Sequence, residues 1–554
     1  MRGRDVFMES LVAHGADTIF GNPGTTENPL LDSLANHPEL SYHTALHEGV
    51  AVCAAGFYAQ ASGRTAVANV HVAPGLGNAI GVIYGALKAG SPLIVTAGQQ
   101  DTRYRLRDPI LGHNLVAMAE PVTKWAVEPQ SADEMAPIMR RAFKIANEAP
   151  RGPVFVSLPV NVMEQDTDVG VETAGGRHRP GPPGPAELRR MVDLLLSSQN
   201  PAFIAGDDIA AFGANETFTR LVERCGATVY LEVLHGRQSL PAAHPNYRGR
   251  VPMEAARIRD ALADHDVVVA VGRPALEEVW FDRGSPIPAT VTYAQIEATE
   301  AWLGYDFPCA VGLAGHLPAT LTAVEASVAA AAPAHWAAAA STRNEGLAEG
   351  HRHDTEARAA RLRKATGRTP MSAAVALHAL AAALPPDVTI VEEAITASLD
   401  VERAFLPSGP DDFFAGRGGG IGQGVAGALG VAVAQPHRTI VAITGDGSAM
   451  YAPQAVWSAA HHSMNIVFVV LANREYRILK HNLDAHRKRF GTGSDLPYPH
   501  MDLAAPALDF VSLARGMGVG ARSVAAVSDI GGAVDDALAT PGPYLLEIEV
   551  AGKN

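Results

Sequence analysis

Cysteine is scarce in this sequence: only Cys53, Cys225 and Cys309 occur among 554 residues. The three lie far apart and show neither a paired spacing nor the spacing of metal ligands. Nothing therefore indicates a disulfide scaffold or a cysteine-based zinc site, and a reduced, intracellular setting is expected.

Long apolar runs are also missing. The longest, residues 418–434, is interrupted by Gly and Gln, and it is too short to cross a bilayer. The opening residues MRGRDVFMES lack the apolar core of a signal peptide. We therefore expect a cytoplasmic protein without a membrane partner.

Basic residues are in the minority, with 44 Lys and Arg against 58 Asp and Glu and a formal net charge of −14. Nucleic acid is not an expected partner, because binding to phosphates requires a basic surface. Small acidic substrates remain compatible with this charge, since a local group of arginines can override the global sign.

The length of the chain indicates several domains, because 554 residues are too many for one core. Residues 166–187 are dense in Gly and Pro, and residues 330–369 begin Ala-rich and continue charged. Both segments are interpreted as linkers. The predicted domains are 1–168, 186–330 and 370–554.

Each predicted domain alternates short β-branched runs with Ala- and Leu-rich stretches of helical length. Examples of the runs are TAVANVHV (65–72), DVVVAVG (266–272) and NIVFVVLAN (465–473). Strands that are apolar on both faces and separated by helices are typical of parallel sheets covered on both sides. The predicted fold class is α/β, with three doubly wound parallel-sheet domains.

A Gly-Asp-Gly-Ser turn between two predicted strands is the most informative pattern. Asp446 follows the run TIVAITG (439–445), and Asn473 follows the next run. A right-handed crossover places both residues at the carboxyl ends of neighbouring strands, about 4.8 Å apart, where one cation could bind both. A carboxylate and an amide oxygen favour Mg²⁺. The alternative is an ordinary turn with a surface aspartate.

The residues around Asp446 also suit an anion. Gly445 and Gly447 allow backbone amides to approach it, and Ser448 lies at the start of the following helix, where phosphate oxygens are stabilised. These three residues are predicted to contact the diphosphate of a cofactor.

A different cofactor is suggested by Gly422, Gly424 and Gly427, which fit the dinucleotide-binding pattern GxGxxG. Asp446 follows about twenty residues later, as that fingerprint requires. The fingerprint also needs a strand that runs directly into its first glycine. The preceding segment, PSGPDDFFAGRGG (407–419), does not look like a buried strand, so a nicotinamide cofactor is disfavoured.

These patterns resemble the thiamine-diphosphate-dependent enzymes, and the resemblance to benzoylformate decarboxylase is strongest. It is carried by GDGS with Asn473, DTIFGNPGTTENPLL (17–31), ALHEGVAVCAAGFYAQASGR (45–64) and ANVHVAPGLGNAIG (68–81). Several motifs are shared with the acetolactate synthase large subunit. The resemblance implies pyrimidine-binding, middle and diphosphate-binding domains, with thiamine diphosphate and Mg²⁺ as cofactors.

The resemblance also implies the contacts made by the third domain. Asp446, Asn473 and the main-chain carbonyl of Glu475 are expected to hold Mg²⁺. The Gly419 carbonyl is expected to face the 4′-amino group of the cofactor, and Ile421 is expected to be the apolar wedge that bends it. Otherwise Ile421 is a core aliphatic residue.

Three residues of the first domain are implied to act in catalysis. Glu48 is expected to bond to N1′ of the aminopyrimidine and to favour its reactive tautomer, although a carboxylate there could merely interact with a helix dipole. His71 matches a histidine that transfers protons after CO₂ leaves; otherwise it is structural. Thr25 matches a serine that binds the substrate carboxylate, and otherwise belongs only to a turn.

The middle domain departs from the family pattern. Benzoylformate decarboxylase has a second active-site histidine there, and the corresponding stretch EEVWFDRG (277–284) has Val279 at or near that position. His113 lies in a segment that borders the pocket in the family. We hypothesise that it substitutes for the missing imidazole.

The substrate end differs as well. Leu479 matches a pocket residue, but Asn482 and Ala415 stand where the family has aromatic residues, and Arg477 replaces a small one. A less aromatic, more cationic pocket suggests a substrate other than benzoylformate, with a second acidic group as one option. The alternative is that these charges cover a solvated helix.

The activity that the resemblance implies is non-oxidative decarboxylation of a 2-keto acid. Two alternatives stay open: a carboligase of the acetolactate synthase or benzaldehyde lyase type, and a non-catalytic cofactor-binding homologue. The family resemblance further implies a homodimer or homotetramer, with each active site between the first domain of one subunit and the third domain of another.

Overall fold

Strands form where the sequence has short runs of β-branched and other apolar residues. The computed structural model describes residues 1–172, 175, 179–493 and 495–553. In this part of the chain the strands form three six-stranded parallel sheets, with helices connecting the strands. The predicted α/β class with three doubly wound sheets is therefore confirmed.

The first sheet contains β1 (Thr18–Gly21), β2 (Ser41–Thr44), β3 (Ala66–Val70), β4 (Leu93–Gln99), β5 (Trp125–Val127) and β6 (Pro153–Pro159). Its order is β2-β1-β3-β4-β6-β5. The four central strands are buried along their whole length, whereas the two edge strands are mostly half-buried. The helices of this part are α1 (Gly3–Ala13), α2 (Asn28–Leu34), α3 (Glu48–Ser62), α4 (Val72–Lys88), α5 (Leu115–Ala119), α6 (Met135–Asn147) and α7 (Val160–Met163).

The second sheet contains β7 (Pro201–Ala205), β8 (Thr228–Leu231), β9 (Tyr247–Arg250), β10 (Val267–Val271), β11 (Thr292–Glu297) and β12 (Val311–Ala314). Its order is β12-β11-β10-β7-β8-β9. The accompanying helices are α8 (Pro185–Ser197), α9 (Asp208–Ala211), α10 (Asn215–Cys225), α11 (Ala255–Leu262), α12 (Leu317–Ala331) and α13 (Ala334–Ala365).

The third sheet contains β13 (Thr389–Glu393), β14 (Phe413–Ala415), β15 (Ile440–Gly445), β16 (Ile466–Ala472), β17 (Gly520–Val524) and β18 (Tyr544–Glu549). Its order is β14-β13-β15-β16-β18-β17. The helices are α14 (Ala373–Ala383), α15 (Ser398–Phe405), α16 (Gln423–Ala434), α17 (Asp446–Ala449), α18 (Gln454–His461), α19 (Arg477–Phe490), α20 (Phe510–Gly516) and α21 (Ile530–Ala539). β15 and β16 pair in parallel, with Gly445 opposite Leu471. This is the adjacency predicted from the turn between them.

The described residues form two compact units. One contains the first sheet and nearly all of the third, and the other contains the second sheet. The second segment interpreted as a linker contains α13, a helix of 32 residues of which only Trp336 and Ala340 are buried. The remaining residues of this helix are half-buried or exposed, so the helix buries little of its surface. The domain boundaries read from the sequence stay a prediction.

The first and third sheets share a hydrophobic core through the contact of α3 with α16. A Cβ atom placed on Gly427 would lie 2.6 Å from the ring of Phe57. One placed on Gly430 would lie 2.6 Å from the backbone nitrogen of Tyr58. The absence of a side chain at these two glycines therefore allows α16 to pack closely against α3.

The prediction that the segment before Gly422 lacks a buried strand is wrong. The segment 407–419 does contain a buried strand, because β14 forms at Phe413–Ala415. Residues 416–421 separate this strand from Gly422, so it does not run directly into the glycine pattern. The dinucleotide fingerprint is still not met.

Among the described helices, none is both long and apolar enough to cross a bilayer.

Glu297 is a buried acid at the end of β11. The residue is 1% exposed, and its Oε2 atom has no hydrogen-bond partner among the described residues. Burial, with a further contribution from Asp208, raises the pKa of Glu297 to about 8. The folded protein therefore binds this proton more tightly than the unfolded chain does.

The free energy of unfolding should consequently fall as the pH rises from about 4.5 towards 8, by up to about 1.4 kcal/mol per pH unit. Glu297→Gln keeps the shape and removes the charge. We expect its melting temperature to exceed that of the wild type by a margin that widens between pH 6 and 8. The exposed Glu300 supplies the control Glu300→Gln, which should follow the wild type. A constant margin for Glu297→Gln across this range would contradict the assignment.

Candidate active site

A buried carboxylate, Glu27, organises the carboxyl end of the first sheet. Its Oε2 atom lies 2.7 Å from Nδ1 of His71 and accepts a hydrogen bond of 2.8 Å from the Gly24 amide. Its Oε1 atom accepts one of 2.8 Å from the Gly98 amide. An ionised carboxylate only accepts, so Nδ1 of His71 carries the proton in this contact. Nε2 is left as the nitrogen for proton exchange.

His71 lies between β3 and α4, as the sequence predicted. The next residue, Val72, has a φ of +38°, a conformation that is strained for a β-branched side chain. Since β3 and α4 are packed on both sides of this turn, the strain is held by the fold. The His71 side chain remains 25% exposed, which leaves it accessible to a ligand.

Glu48 is the first residue of α3 and is 7% exposed. Its Oε2 atom accepts a hydrogen bond of 3.0 Å from Nδ2 of Asn78. Its Oε1 atom lies against Gly75, where an added Cβ would be 2.9 Å away. The carboxylate therefore has one side-chain donor. Its position in the first turn of α3 is also favourable for the helix dipole, so the two interpretations are compatible.

Thr25 and His113 are both exposed, but only Thr25 lies in the turn beside His71. Thr25 is exposed, whereas its neighbour Thr26 is buried and donates to Oε1 of Glu27 at 3.0 Å. The His113 carbonyl accepts a hydrogen bond of 2.6 Å from Nε2 of Gln99, but the residue is exposed. The structure brings the Thr25 turn together with His71. In the described ranges, no hydrogen bond joins the His113 ring to either.

Asp446 connects the ends of β15 and β16. Its Oδ1 atom accepts from the Gly447 amide at 2.8 Å, and its Oδ2 atom accepts from the Arg474 amide at 2.6 Å. The residue is 2% exposed, and burial raises the pKa of its carboxyl group. The Arg474 guanidinium pairs with Glu547 rather than with Asp446. Among the residues that the structure describes, Asp446 has no ion-pair partner.

The loop after β16 carries the other predicted cation ligands. Oδ1 of Asn473 accepts from the Glu475 amide at 3.0 Å, and Arg474 between them has a φ of +59°. The Glu475 side chain is buried, forms an ion pair with Lys480 and accepts from the Lys553 amide. The sequence assigned a role to the Glu475 carbonyl alone. In the structure its side chain anchors the loop to α19 and to the end of the chain.

The predicted cofactor-facing glycines border open space. Gly419 has a φ of +74°, and an added Cβ at Gly419 or Gly445 would meet nothing within 4 Å. At Gly447, in contrast, a Cβ would lie 2.5 Å from the Tyr476 ring. Ser448 in the same turn is buried.

The two predicted apolar contacts are both partly accessible. Ile421 is half-buried, and Leu479 on α19 is 44% exposed. Neither side chain is a core residue in this structure. Both are available to a bound molecule.

Glu393 and Gln423 were not predicted from the sequence. Their hydrogen bonds fix the glycine-rich segment 416–422, which precedes α16. The Glu393 carboxylate accepts from the amides of Gln423 at 3.1 Å and Gly424 at 3.0 Å. Nε2 of Gln423 donates to the carbonyls of Arg417 at 2.8 Å and Gly420 at 2.7 Å. The run VTIVEEA (388–394) predicted only a strand. Consecutive acids at the end of a buried strand were the available signal.

The positions that depart from the family's pocket pattern lie in different surroundings. Nη1 of Arg477 donates to the Ala551 carbonyl at 3.1 Å, so this cation is engaged within the chain. Asn482 is exposed on α19, and Ala415 is buried in β14. Val279, at or near the position of the missing histidine, is 57% exposed. The charged run on α19 is not uniformly solvated, because Arg487 is buried.

The donor chemistry around Asp446 fits a hard divalent cation. The buried Asp446 carboxylate, which has no ion-pair partner among the described residues, and the Asn473 amide both offer oxygen ligands. In the described part of the chain, no three His, Cys, Asp or Glu side chains cluster as metal ligands. A cation here would therefore have one carboxylate ligand and otherwise neutral oxygen donors among the described residues.

Three regions of the chain match the family models for thiamine pyrophosphate (thiamine diphosphate) enzymes. The N-terminal TPP-binding domain matches residues 1–118, the central domain 188–324 and the C-terminal TPP-binding domain 396–548. Benzoylformate decarboxylase from Pseudomonas aeruginosa is 32% identical over 98% of this chain and 97% of the relative. The large subunit of acetolactate synthase isozyme 2 from Escherichia coli is 25% identical over 99% and 96%.

The structure has solved neighbours of the same kind. The thiamine diphosphate-dependent 4-hydroxybenzoylformate decarboxylase of Rhodococcus jostii superposes with a TM-score of 0.86 at 26% identity, covering 100% of both chains. This chain therefore belongs to the thiamine pyrophosphate enzyme family. It is a thiamine-diphosphate-dependent enzyme, which confirms the class predicted from the sequence.

Replacement of Glu27 tests the network around His71. Glu27→Ala leaves the Gly24 and Gly98 amides without an acceptor, so we expect the free energy of unfolding to fall by at least about 2 kcal/mol. Urea unfolding followed by circular dichroism measures this change. Glu39→Ala, at an exposed site, should stay within about 0.5 kcal/mol of the wild type. Equal stability of the two variants would show that the network is not formed.

Proposed function

We propose that this enzyme is a Mg²⁺-dependent, non-oxidative decarboxylase of a 2-keto acid. The observation that carries the proposal is the buried Asp446 carboxylate, which lies at the ends of two adjacent strands and has no ion-pair partner in the described residues. The relative with 32% identity is named benzoylformate decarboxylase. When bound, thiamine diphosphate supplies a carbon that attacks the keto group and takes up the electrons released with CO₂.

The third sheet holds the metal and the diphosphate. Asp446, Asn473 and the Glu475 carbonyl bind Mg²⁺, which neutralises the buried carboxylate. The backbone at Gly445 and Gly447, together with Ser448, contacts the diphosphate. This assignment is supported by the open space at Gly445.

The same sheet positions the pyrimidine through the loop before α16. The Gly419 carbonyl accepts from the amino group, and Ile421 and Leu479 contact the apolar parts of the cofactor. Gln423 and Glu393 fix this loop through their bonds to its carbonyls and amides. Since Gly419 borders open space, the ring can approach its backbone.

The first sheet supplies the proton chemistry. Glu48 shares a proton with a pyrimidine nitrogen of the cofactor, and its burial strengthens that bond. His71 delivers a proton through Nε2 after CO₂ leaves, with its ring fixed by Glu27. The exposed Thr25 hydroxyl binds the substrate carboxylate, and His113 provides a second imidazole at the pocket.

The proposal includes an oligomer, a homodimer or homotetramer in which each active site combines the first domain of one copy with the third domain of another. It also includes a cytoplasmic location, which agrees with three free cysteines in the described residues. Carboligation to a 2-hydroxy ketone is the second candidate, since a relative over the full length is an acetolactate synthase subunit. Analysis of the product as aldehyde or hydroxy ketone separates the two.

Thermal shift tests the metal site. Thiamine diphosphate with Mg²⁺ should raise the melting temperature of the wild type, by an amount that corresponds to about 2.7 kcal/mol at a concentration of 100 Kd. Asp446→Asn should lose this shift because the cation is no longer held. Asp535→Asn changes an exposed aspartate and should keep it. A full shift in Asp446→Asn, or a shift with NAD in place of thiamine diphosphate, would refute the assignment.

Release of CO₂ tests the reaction. The wild type should release CO₂ from one or more members of a panel of aromatic, branched and dicarboxylic 2-keto acids. Glu48→Gln should lower kcat by at least about 100-fold, because the shared proton is lost, and should still bind the cofactor. Turnover of Glu48→Gln at the wild-type rate, or no reaction of the wild type with any member of the panel, would contradict the proposed function.

A further inference from the structure

The residue before Glu48 closes the first turn of α3. His47 is the N-cap, with extended backbone angles of φ −157° and ψ 136°. Its Nδ1 atom accepts a hydrogen bond of 3.0 Å from the Gly49 amide. Its carbonyl accepts from the amides of Val50 at 3.0 Å and Ala51 at 3.1 Å. The start of the helix is therefore fixed by one residue.

Histidine is an unusual residue for this task. N-caps are mostly Ser, Thr, Asp or Asn, whose short side chains reach the backbone amides easily. An imidazole accepts only through an unprotonated nitrogen, so the cap requires neutral His47 with its hydrogen on Nε2. The ring also needs space, and a Cβ on Gly49 would lie 3.0 Å from Nδ1. His47 and Gly49 therefore act as a pair.

The capped turn is the one that carries Glu48. Within the described part of the chain, the Glu48 carboxylate has a single side-chain donor, Asn78, and it also lies against Gly75. With one side-chain hydrogen bond among the described residues, the position of this carboxylate depends strongly on the backbone of the first turn. That backbone is set on one side by the His47 carbonyl and on the other by the bond between His47 and Gly49.

We infer that His47 is a positioning residue that holds Glu48 against the pyrimidine through the neutral-imidazole cap of α3. This inference rests on the proposed function of Glu48. Loss of the cap frays the first turn and moves the carboxylate. The Mg²⁺ and diphosphate contacts lie on the third sheet and stay intact, so cofactor affinity is preserved.

Exchange of the C2 proton of bound thiamine diphosphate with deuterium measures what Glu48 does, without substrate turnover. His47→Ala should slow this exchange by about 10-fold, in line with the loss of an N-cap. The Kd for thiamine diphosphate with Mg²⁺ should change by less than about 2-fold, because the phosphate contacts are untouched. His47→Asn, which restores a cap oxygen, should return the exchange rate to near the wild-type value.

Two further variants separate the possible failures. Asp509→Ala removes the cap of α20, where Asp509 accepts from the Ser512 amide at 2.8 Å, and it should lower stability without slowing the exchange. Glu48→Gln should slow exchange more than His47→Ala. If Glu48→Gln leaves the exchange rate unchanged, the proposed function itself is wrong. If Glu48→Gln slows exchange but His47→Ala does not, or if His47→Asn is as slow as His47→Ala, the inference about His47 alone is overturned.

Discussion

Burial of carboxylates at the ends of parallel strands is the constraint on which this site depends. An ionised carboxylate loses its hydration on burial, and the cost is offset only by hydrogen-bond donors or by a cation. Three buried acids each accept hydrogen bonds from two backbone amides: Glu27, Glu393 and Asp446. Each of them thereby fixes a loop at the carboxyl end of a sheet. Glu27 also contacts His71, whereas Asp446 has no ion-pair partner among the described residues, so the proposed Mg²⁺ would offset the remaining cost of its burial.

Glu48 differs from these three acids in a way that suits its proposed task. It accepts from one side-chain amide, so its carboxylate keeps bonding capacity for a ligand. The backbone around the site is strained, with positive φ at Val72, Ile395 and Arg474, each of which follows the end of a strand within two residues. Such strain is maintained only where the neighbouring strands and helices hold the chain on both sides. The fold thus provides a rigid support, and the loops provide the chemistry.

Most interior strands followed directly from the sequence, because apolar runs bounded by glycine turns have few other interpretations. The same pattern predicted that Asp446 directly follows a strand, whereas the roles of Glu48 and Asp446 stay predictions. Edge strands such as β2 (SYHT) and β17 (GARSV) were missed, since they are short and partly exposed and lack the continuous apolar pattern. Glu27 and Glu393 could not be identified as loop anchors, because partners such as Gly98 and Gln423 are distant in sequence and contribute only backbone amides. The role of the Glu475 side chain was missed for the same reason, as Lys553 approaches it only in the folded chain.

We propose that Glu48 and Asp446 serve one cofactor held between two copies of the chain. The most direct measurement uses hybrid oligomers in which one chain carries Glu48→Gln and the other Asp446→Asn, isolated through two different affinity tags. Each variant alone has no intact site, so it should release CO₂ at least about 100-fold more slowly than the wild type. In the hybrid, one site combines the unaltered Glu48 with the unaltered Asp446, so activity should return. A hybrid as inactive as its parents would contradict the shared site.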